Sequence, residues 1–258
     1  MSDAVQVTIE GHVAIVTMNN PPANTWTRDS LETLTHLVHE LNANKDVYSL
    51  IITGQGEKFF SAGADLKLFA DGNKQVAADM STAFGRAFET LSQFRGLSIA
   101  AINGYAMGGG LEVALACDLR IVEEQAQMAL PEAAVGLLPC AGGTQNLAWL
   151  VGEGWAKRII LCGERVNAEK AQQIGLVEAV TEKGNALTMA KEWAANAERQ
   201  SPTSIAACKR LIQTARKEPM FAGMGYERDE FVRLFDSNDQ TEGVQAFLEK
   251  RKPNWTIS

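Results

Sequence analysis

Apolar and polar residues alternate with a period of two near the start of the chain, and a helical period follows. Residues 5–9 alternate and residues 13–18 are largely apolar, so together they predict a β-hairpin. Apolar side chains then recur at helical spacing, which predicts a helix over residues 27–44 that is capped by its first threonine. An apolar run over residues 49–53 predicts the next strand.

The middle of the chain continues this alternation of strand and helix. After a loop of small residues over 59–67, the predicted elements are a helix over 76–94, a strand over 99–102, a helix over 111–116 and a strand over 119–122. Strands that alternate with helices are typical of an α/β fold with crossover connections.

Beyond about residue 142 the pattern is dominated by helices. Helical segments are predicted over residues 144–151, 154–162, 168–173, 186–199, 202–217, 220–235 and 242–250, with a strand signal over 178–181. We therefore predict an α/β core over residues 1–200 and a helical region over residues 201–258. The sequence contains no convincing internal repeat and no low-complexity linker.

Composition narrows the function classes. The 258 residues are 46% hydrophobic and 21% charged, as in ordinary globular proteins. The net charge of −7 argues against sequence-independent binding of nucleic acid. The first six residues show no secretory signal, no apolar run is long enough for a bilayer, and the four cysteines form no CxxC motif. These features predict a cytoplasmic protein.

Three consecutive glycines, Gly108 to Gly110, separate an apolar strand from a predicted helix. Glycine permits a positive φ and a close approach of the backbone to a ligand. Amides at a helix N-terminus suit an anion, whether a phosphate or a developing oxyanion. The alternative is a tight turn without a ligand. A dinucleotide-binding fingerprint fits poorly, because Val113 stands where its third glycine belongs.

Two glutamates, Glu112 and Glu132, lie among apolar and small residues where packing does not call for a charge. The helix dipole favours the ionised form of Glu112, so we expect a low pKa for it. Each glutamate alone is compatible with an ordinary charge at a helix start. Together they form a possible acid–base pair, and the amides of Ala64 and Gly109 are candidates for a two-donor oxyanion hole.

Other catalytic chemistries have little support. The chain has no Gly-x-Ser-x-Gly elbow, no Walker A motif and no histidine beyond residue 39. Cys117 and Cys140 have no histidine or lysine nearby in sequence, so a cysteine nucleophile is not favoured. His36 and His39 have helical spacing but no third ligand, and no metal site is predicted.

Four segments together resemble the enoyl-CoA hydratase/isomerase (crotonase) superfamily over nearly the whole chain. They occur in the family's order and spacing at residues 52–67, 101–112, 130–145 and 242–251, and include Phe60-Ser61-Ala62-Gly63-Ala64-Asp65-Leu66-Lys67, Met107-Gly108-Gly109-Gly110-Leu111-Glu112, Leu130-Pro131-Glu132 and Gly142-Gly143-Thr144-Gln145. The resemblance implies the ClpP/crotonase fold, an α/β spiral of ββα units. It also implies C-terminal helices that pack trimers, which pair into hexamers.

The resemblance further implies an acyl-CoA thioester as substrate, fatty acid β-oxidation as the setting, and no metal or redox cofactor. By family position, the amides of Ala64 and Gly109 bind the thioester oxygen, Glu112 activates water and Glu132 delivers a proton at C2. Positions implied to bind substrate or coenzyme A are Ala23, Ser61, Ala62, Asp65, Leu66, Lys67, Gly108, Cys140, Phe247 and Lys250. Phe247 and Lys250 are implied to reach the coenzyme A of a neighbouring subunit.

Because both glutamates are present, the resemblance favours an enoyl-CoA hydratase, a hydro-lyase, over a Δ3,Δ2-enoyl-CoA isomerase. A crotonase-like protein that only binds coenzyme A or RNA is the third interpretation. The chain departs from the usual hydratase pattern at two places. Cys140 replaces a usual glycine, and Pro22-Ala23-Asn24-Thr25-Trp26 replaces the usual Ala-Leu-Asn type of loop. In that loop, Trp26 is expected to stack on adenine or to fill a subunit contact.

Overall fold

The computed structural model describes residues 3–256, so residues 1, 2, 257 and 258 of the two predicted domain ranges lie outside the described chain. The strands are β1 (Val5–Glu10), β2 (Val13–Met18), β3 (Ser49–Gly54), β4 (Phe59–Ser61), β5 (Leu97–Ile102), β6 (Tyr105–Met107), β7 (Leu119–Glu123), β8 (Gln127–Ala129), β9 (Val166–Asn167) and β10 (Ala179–Thr181). The α-helices are α1 (Arg28–Ala43), α2 (Lys74–Ser92), α3 (Gly109–Ala116), α4 (Gly143–Leu161), α5 (Ala168–Gln173), α6 (Ala186–Ala197), α7 (Pro202–Thr214), α8 (Met220–Arg233) and α9 (Asn238–Leu248).

Two sheets organise the chain. The larger has the strand order β1-β2-β3-β5-β7-β10, in which β1 and β2 form the predicted antiparallel hairpin and every other neighbouring pair is parallel. The smaller sheet, β4-β6-β8-β9, was not predicted from the sequence. Its strands have only two or three residues, which is too short for a detectable period.

The described elements repeat as ββα units. In each of β3-β4-α2, β5-β6-α3 and β7-β8-α4, the first strand belongs to the larger sheet, the second to the smaller sheet, and a helix follows. This arrangement confirms the predicted spiral. The two helices predicted on either side of residue 152 are continuous in α4, with a kink at Gly152, where φ is 76°.

The central parallel strands β3 and β5 are buried on both faces, as expected of parallel strands, whereas the edge strand β1 is exposed along most of its length. Successive residues of β3 point in opposite directions: Leu50 and Ile52 belong to the main core, whereas Ile51 belongs to a second core beneath α6. The main core lies on the side of α1, α2 and α3. All eight residues of α3 are buried, so this helix is held rigidly.

Arg120 fixes the C-terminal end of α3. Its buried guanidinium donates hydrogen bonds of 2.9 Å to the carbonyls of Cys117 and Leu176, and it pairs with Glu178. A cation at a helix C-terminus complements the helix dipole. The helix that carries Gly109 and Glu112 is therefore anchored at the end opposite to them.

Polar contacts tie α7 to the core and α9 to the start of α7. Lys209 of α7 donates a 2.6 Å hydrogen bond to Asp118, and the buried carboxylate of Asp239 in α9 accepts one of 2.7 Å from Ser201. The predicted division near residue 200 falls between α6 and α7, and it stays a prediction. Within residues 3–256, no helix is long and apolar enough to cross a membrane.

Candidate active site

A cavity of about 610 Å³ lies where α2, the start of α3 and two loops meet. The loop that follows β4 supplies one wall and the segment between β8 and α4 supplies another. Eight of the predicted site residues line it: Ala62, Ala64, Leu66, Gly108, Gly109, Glu112, Glu132 and Cys140. The fold thus brings the two glutamates and the two candidate amides to one cavity.

The two candidate amides lie on loops that touch. Gly108 has a φ of 54°, which turns the chain from β6 into α3. A Cβ at Gly63 would lie 2.9 Å from the amide nitrogen of Gly109, so only glycine permits this approach. As the first residue of α3, Gly109 has no acceptor for its amide within the helix. Ala64 follows directly and lines the same cavity.

Glu112 is held from a distant part of the chain. Its Oε1 accepts hydrogen bonds from the amides of Ala141 at 2.8 Å and Gly143 at 2.9 Å. The expected low pKa was wrong: burial raises the pKa of Glu112 above its ordinary value, and the two amides offset this only in part. Loss of water around this carboxylate therefore outweighs the two hydrogen bonds that favour its ionised form.

Glu132 begins a short 3₁₀ turn, Glu132–Val135. Its Oε1 lies close to Gly108, where a Cβ would come within 3.1 Å of it. Its Oε2 is buried and has no hydrogen-bond partner among the described residues. Burial raises the pKa of Glu132 to about 7, and the charge of Glu112 adds to the increase.

The two carboxyl groups therefore differ in environment. Glu112 keeps one oxygen fixed by two amides, whereas Glu132 has one oxygen that no described residue contacts by a hydrogen bond, and a pKa close to neutrality. Two carboxyl groups in such different surroundings can act as a base and an acid in one site. The arrangement suits a reaction in which one proton is removed and another is delivered.

Cys117 and Cys140 are poor candidates for nucleophiles. Burial raises the pKa of Cys140 to about 11, with added contributions from Glu112 and Glu132. Burial likewise raises the pKa of Cys117 to about 12. Both thiols stay protonated near neutral pH, whereas the thiolate is the nucleophilic form. Residues 3–256 also contain no cluster of His, Cys, Asp or Glu that would hold a metal ion.

Six predicted substrate-binding residues do not line the cavity. Ala23 and Ser61 support the loop from behind, through the Ala23 carbonyl and the buried Ser61 hydroxyl, while Asp65 caps the turn that begins at Leu66. Lys67, Phe247 and Lys250 are exposed on the surface. Their assignment to coenzyme A, on this or a neighbouring subunit, stays a prediction.

Trp26 occupies neither of its expected places. It is 1% exposed and packs edge-on against Phe88 in the main core, with 5.6 Å between ring centroids. It is therefore a core residue of this chain.

Much of the lining of the cavity was not predicted from the sequence. Ala77, Ser81 and Phe84 form one face of α2, and Leu137 and Leu138 face them from the loop before α4. The i, i+4, i+7 spacing on α2 was a visible signal of a common face. Which cavity that face would border depended on the tertiary fold.

The fold and the paired glutamates agree with a comparison against known families. The model of the enoyl-CoA hydratase/isomerase family matches residues 8–257, and the chain belongs to this family. Its spiral of ββα units is that of the crotonase fold.

Several relatives cover almost the whole chain. The 2,3-dehydroadipyl-CoA hydratase of Escherichia coli is 37% identical over 99% of both chains, and the short-chain-enoyl-CoA hydratase of Clostridium acetobutylicum is 35% identical over 94% of both. Among solved structures, Pseudomonas aeruginosa DspI is 62% identical, covers 98% of this chain and 97% of its own, and has a TM-score of 0.96. A Bacillus anthracis enoyl-CoA hydratase is 34% identical, with a TM-score of 0.94 over 98% of this chain and 99% of its own.

Proposed function

We propose that this protein is an enoyl-CoA hydratase, which adds water across the C2–C3 double bond of a 2-trans-enoyl-CoA and yields a 3-hydroxyacyl-CoA. The observation that carries the proposal is that a single cavity holds Glu112, fixed through one oxygen, and Glu132, whose Oε2 has no partner among the described residues. Hydration needs both a base for water and an acid for carbon.

The first step is assigned to Glu112. Its carboxylate takes a proton from water while the water oxygen forms a bond to C3. The π electrons of the double bond move toward the thioester carbonyl, and an enolate develops on its oxygen. Hydrogen bonds from two backbone amides to Oε1 keep this carboxylate in one orientation, so the other oxygen remains available to the water.

The amides of Ala64 and Gly109 are assigned to the thioester oxygen. Charge on that oxygen grows as water adds, so donors fixed at this place stabilise the transition state more than the ground state. Loss of one such donor typically costs about 10²–10³ in kcat. The dipole of α3 points its positive end at the same place.

The second step is assigned to Glu132. A carboxyl group with a pKa of about 7 holds a substantial fraction of its proton near neutral pH. It gives this proton to C2 as the enolate collapses to the saturated thioester. Proton exchange through solvent from Glu112 to Glu132 restores both groups. The reaction is redox-neutral and the glutamates supply both transfers, so the proposed mechanism uses no metal or redox cofactor.

A homo-oligomer is the second part of the proposal. The outer face of α8 exposes large apolar side chains, with Phe221 88% exposed and Phe231 64% exposed. Apolar patches of this kind mark contact surfaces. We assign this face to contact with further copies of the chain in a trimer or a dimer of trimers.

The experiment is a spectrophotometric assay on crotonyl-CoA that follows loss of the conjugated thioester absorbance. Glu112→Gln and Glu132→Gln should each lower turnover by about 10²–10⁴ while circular dichroism stays unchanged. Glu124→Gln, at an exposed glutamate outside the cavity, is the matched control and should keep full activity. Near-normal hydration in both active-site variants would contradict the assignment, and conversion of a 3-enoyl-CoA without hydration would identify an isomerase.

A further inference from the structure

A second, open groove of about 490 Å³ runs along α2 beside the catalytic cavity. Two residues line both spaces: Ser81 of α2 and Cys140 of the loop before α4. Their side chains lie where the cavity and the groove meet. We call these two residues the partition.

The two sides of the partition differ in chemistry. The cavity has apolar walls from Leu66, Phe69, Phe84, Leu137 and Leu138, and no cationic side chain is among the described residues that line it. Its charged groups are the two catalytic glutamates. The groove is polar, and it carries the guanidinium of Arg86 together with Thr82, Glu89, Thr90 and Gln93.

A carboxylate at the far end of an acyl group would be poorly accommodated in the cavity. It would give up water against apolar side chains such as the buried ring of Phe84, and it would face two carboxyl groups of its own sign. Ser81 offers it little, because its hydroxyl donates a 3.0 Å hydrogen bond to the carbonyl of Ala78 in its own helix. The cation Arg86 lies on the groove side of the partition.

We propose that Ser81 and Cys140 are specificity-determining residues, which confine the acyl group to the apolar cavity and thereby select hydrocarbon acyl chains over those that end in a carboxylate. This inference rests on the proposed hydratase function. It names the substrate class of the same site, a 2-enoyl thioester with an uncharged, apolar far end.

The test uses two substrates with acyl chains of equal length, 2-trans-hexenoyl-CoA and 2,3-dehydroadipyl-CoA. The first ends in a methyl group and the second in a carboxylate. The wild type should favour the hexenoyl substrate in kcat/KM by at least about a hundredfold, because a desolvated charge without a partner is strongly rejected. The E. coli relative, named for the dehydroadipyl substrate, is the positive control for that compound.

Shortening the side chains of the partition should reduce the preference for hexenoyl-CoA over dehydroadipyl-CoA. The double variant Ser81→Ala/Cys140→Ala should narrow the ratio of kcat/KM between the two substrates at least about tenfold, and a circular dichroism spectrum like that of the wild type should show that it is folded. Adding Arg86→Ala should restore the preference, since the acyl carboxylate would lose its cation.

Two controls separate the partition from general effects. Ser92→Ala changes the same residue type on the same helix, with the same hydrogen bond to the third preceding carbonyl, but Ser92 does not line the cavity. Cys140→Ser keeps the size of the side chain and should keep the wild-type ratio, whereas a role for the thiol itself would change it.

The outcomes distinguish this inference from the proposed function. Hydration of hexenoyl-CoA with an equal rate on dehydroadipyl-CoA, or an unchanged ratio in the active double variant, would overturn the role of the partition and leave the hydratase standing. Hydration of neither compound by the wild type would overturn both.

Discussion

The backbone amide of Gly143 donates a 2.9 Å hydrogen bond to Oε1 of Glu112, across 31 positions of the chain. A Cβ at Gly143 would lie 2.8 Å from that same oxygen and 2.8 Å from Cβ of Pro139. The proposed base is therefore held by a contact that only a glycine permits at this place. The start of α4 thus positions a residue of α3.

Gly143→Ala should displace the Glu112 carboxylate and lower kcat by about 10²-fold, because a misplacement of about 1 Å in a catalytic group can cost that much. Gly154→Ala is the matched control on the same helix, since a Cβ there meets no described atom within 4 Å. That control should keep its activity and gain stability, as alanine favours a helix by about 1 kcal/mol over glycine. Equal activity in both variants would contradict the positioning role.

The value of kcat/KM should show a bell-shaped dependence on pH. Glu132 must carry a proton to act as the acid, so kcat/KM on crotonyl-CoA should fall as pH rises through the raised pKa of about 7. Glu112 must be ionised to act as the base, so the rate should also fall as pH is lowered through its raised pKa. An alkaline limb that persists in Glu132→Gln would assign that limb to another group.

The raised pKa of Glu132 also predicts how the stability of the fold changes with pH. The pKa of Glu132 is raised in the folded state from an ordinary 4.5 to about 7. The stability that the Glu132 carboxyl adds to the folded state is therefore fully present below its ordinary pKa. This stability is lost as pH rises through the pKa of Glu132 in the folded protein. The free energy of unfolding, measured with urea, should fall between about pH 5 and about pH 8. This fall should be larger in the wild type than in Glu132→Gln.

Arg120→Met should destabilise the fold by about 3–5 kcal/mol, since it leaves Oε1 of Glu178 and the buried carbonyls of Cys117 and Leu176 without the guanidinium that bonds them. Urea unfolding followed by circular dichroism measures this. Lys157→Met removes a cation from the exposed ion pair with Glu153 and should leave the free energy of unfolding almost unchanged. Similar values for the two variants would mean that Arg120 does not anchor α3.

Phe221→Asp should weaken the proposed oligomer, because it places a charge in the apolar face of α8, where Phe221 is 88% exposed in the single chain. Light scattering coupled to gel filtration should show a smaller particle than for the wild type. Asp229→Ser, on the same helix, should leave the size unchanged. A wild type that elutes as a monomer would refute the assignment of this face.

The sequence by itself determined the elements with a clear period and the residues with unusual chemistry. The hairpin of β1 and β2, the long helices and the glycine turn into α3 follow from local spacing, and these predictions are confirmed. Gly108 has the positive φ that its position suggested. Glu112 and Glu132 stood out because a charge among apolar residues is unusual.

Only the tertiary structure decided how these residues act on one another. The short strands of the smaller sheet give no period, and the amides on Glu112 come from a distant loop. The pKa of Glu112 moved against the expected direction because desolvation depends on everything packed around a group, which local sequence does not contain. The partition has the same origin: Ser81 and Cys140 lie far apart in the chain and meet only because the fold stacks α2 against the loop that precedes α4.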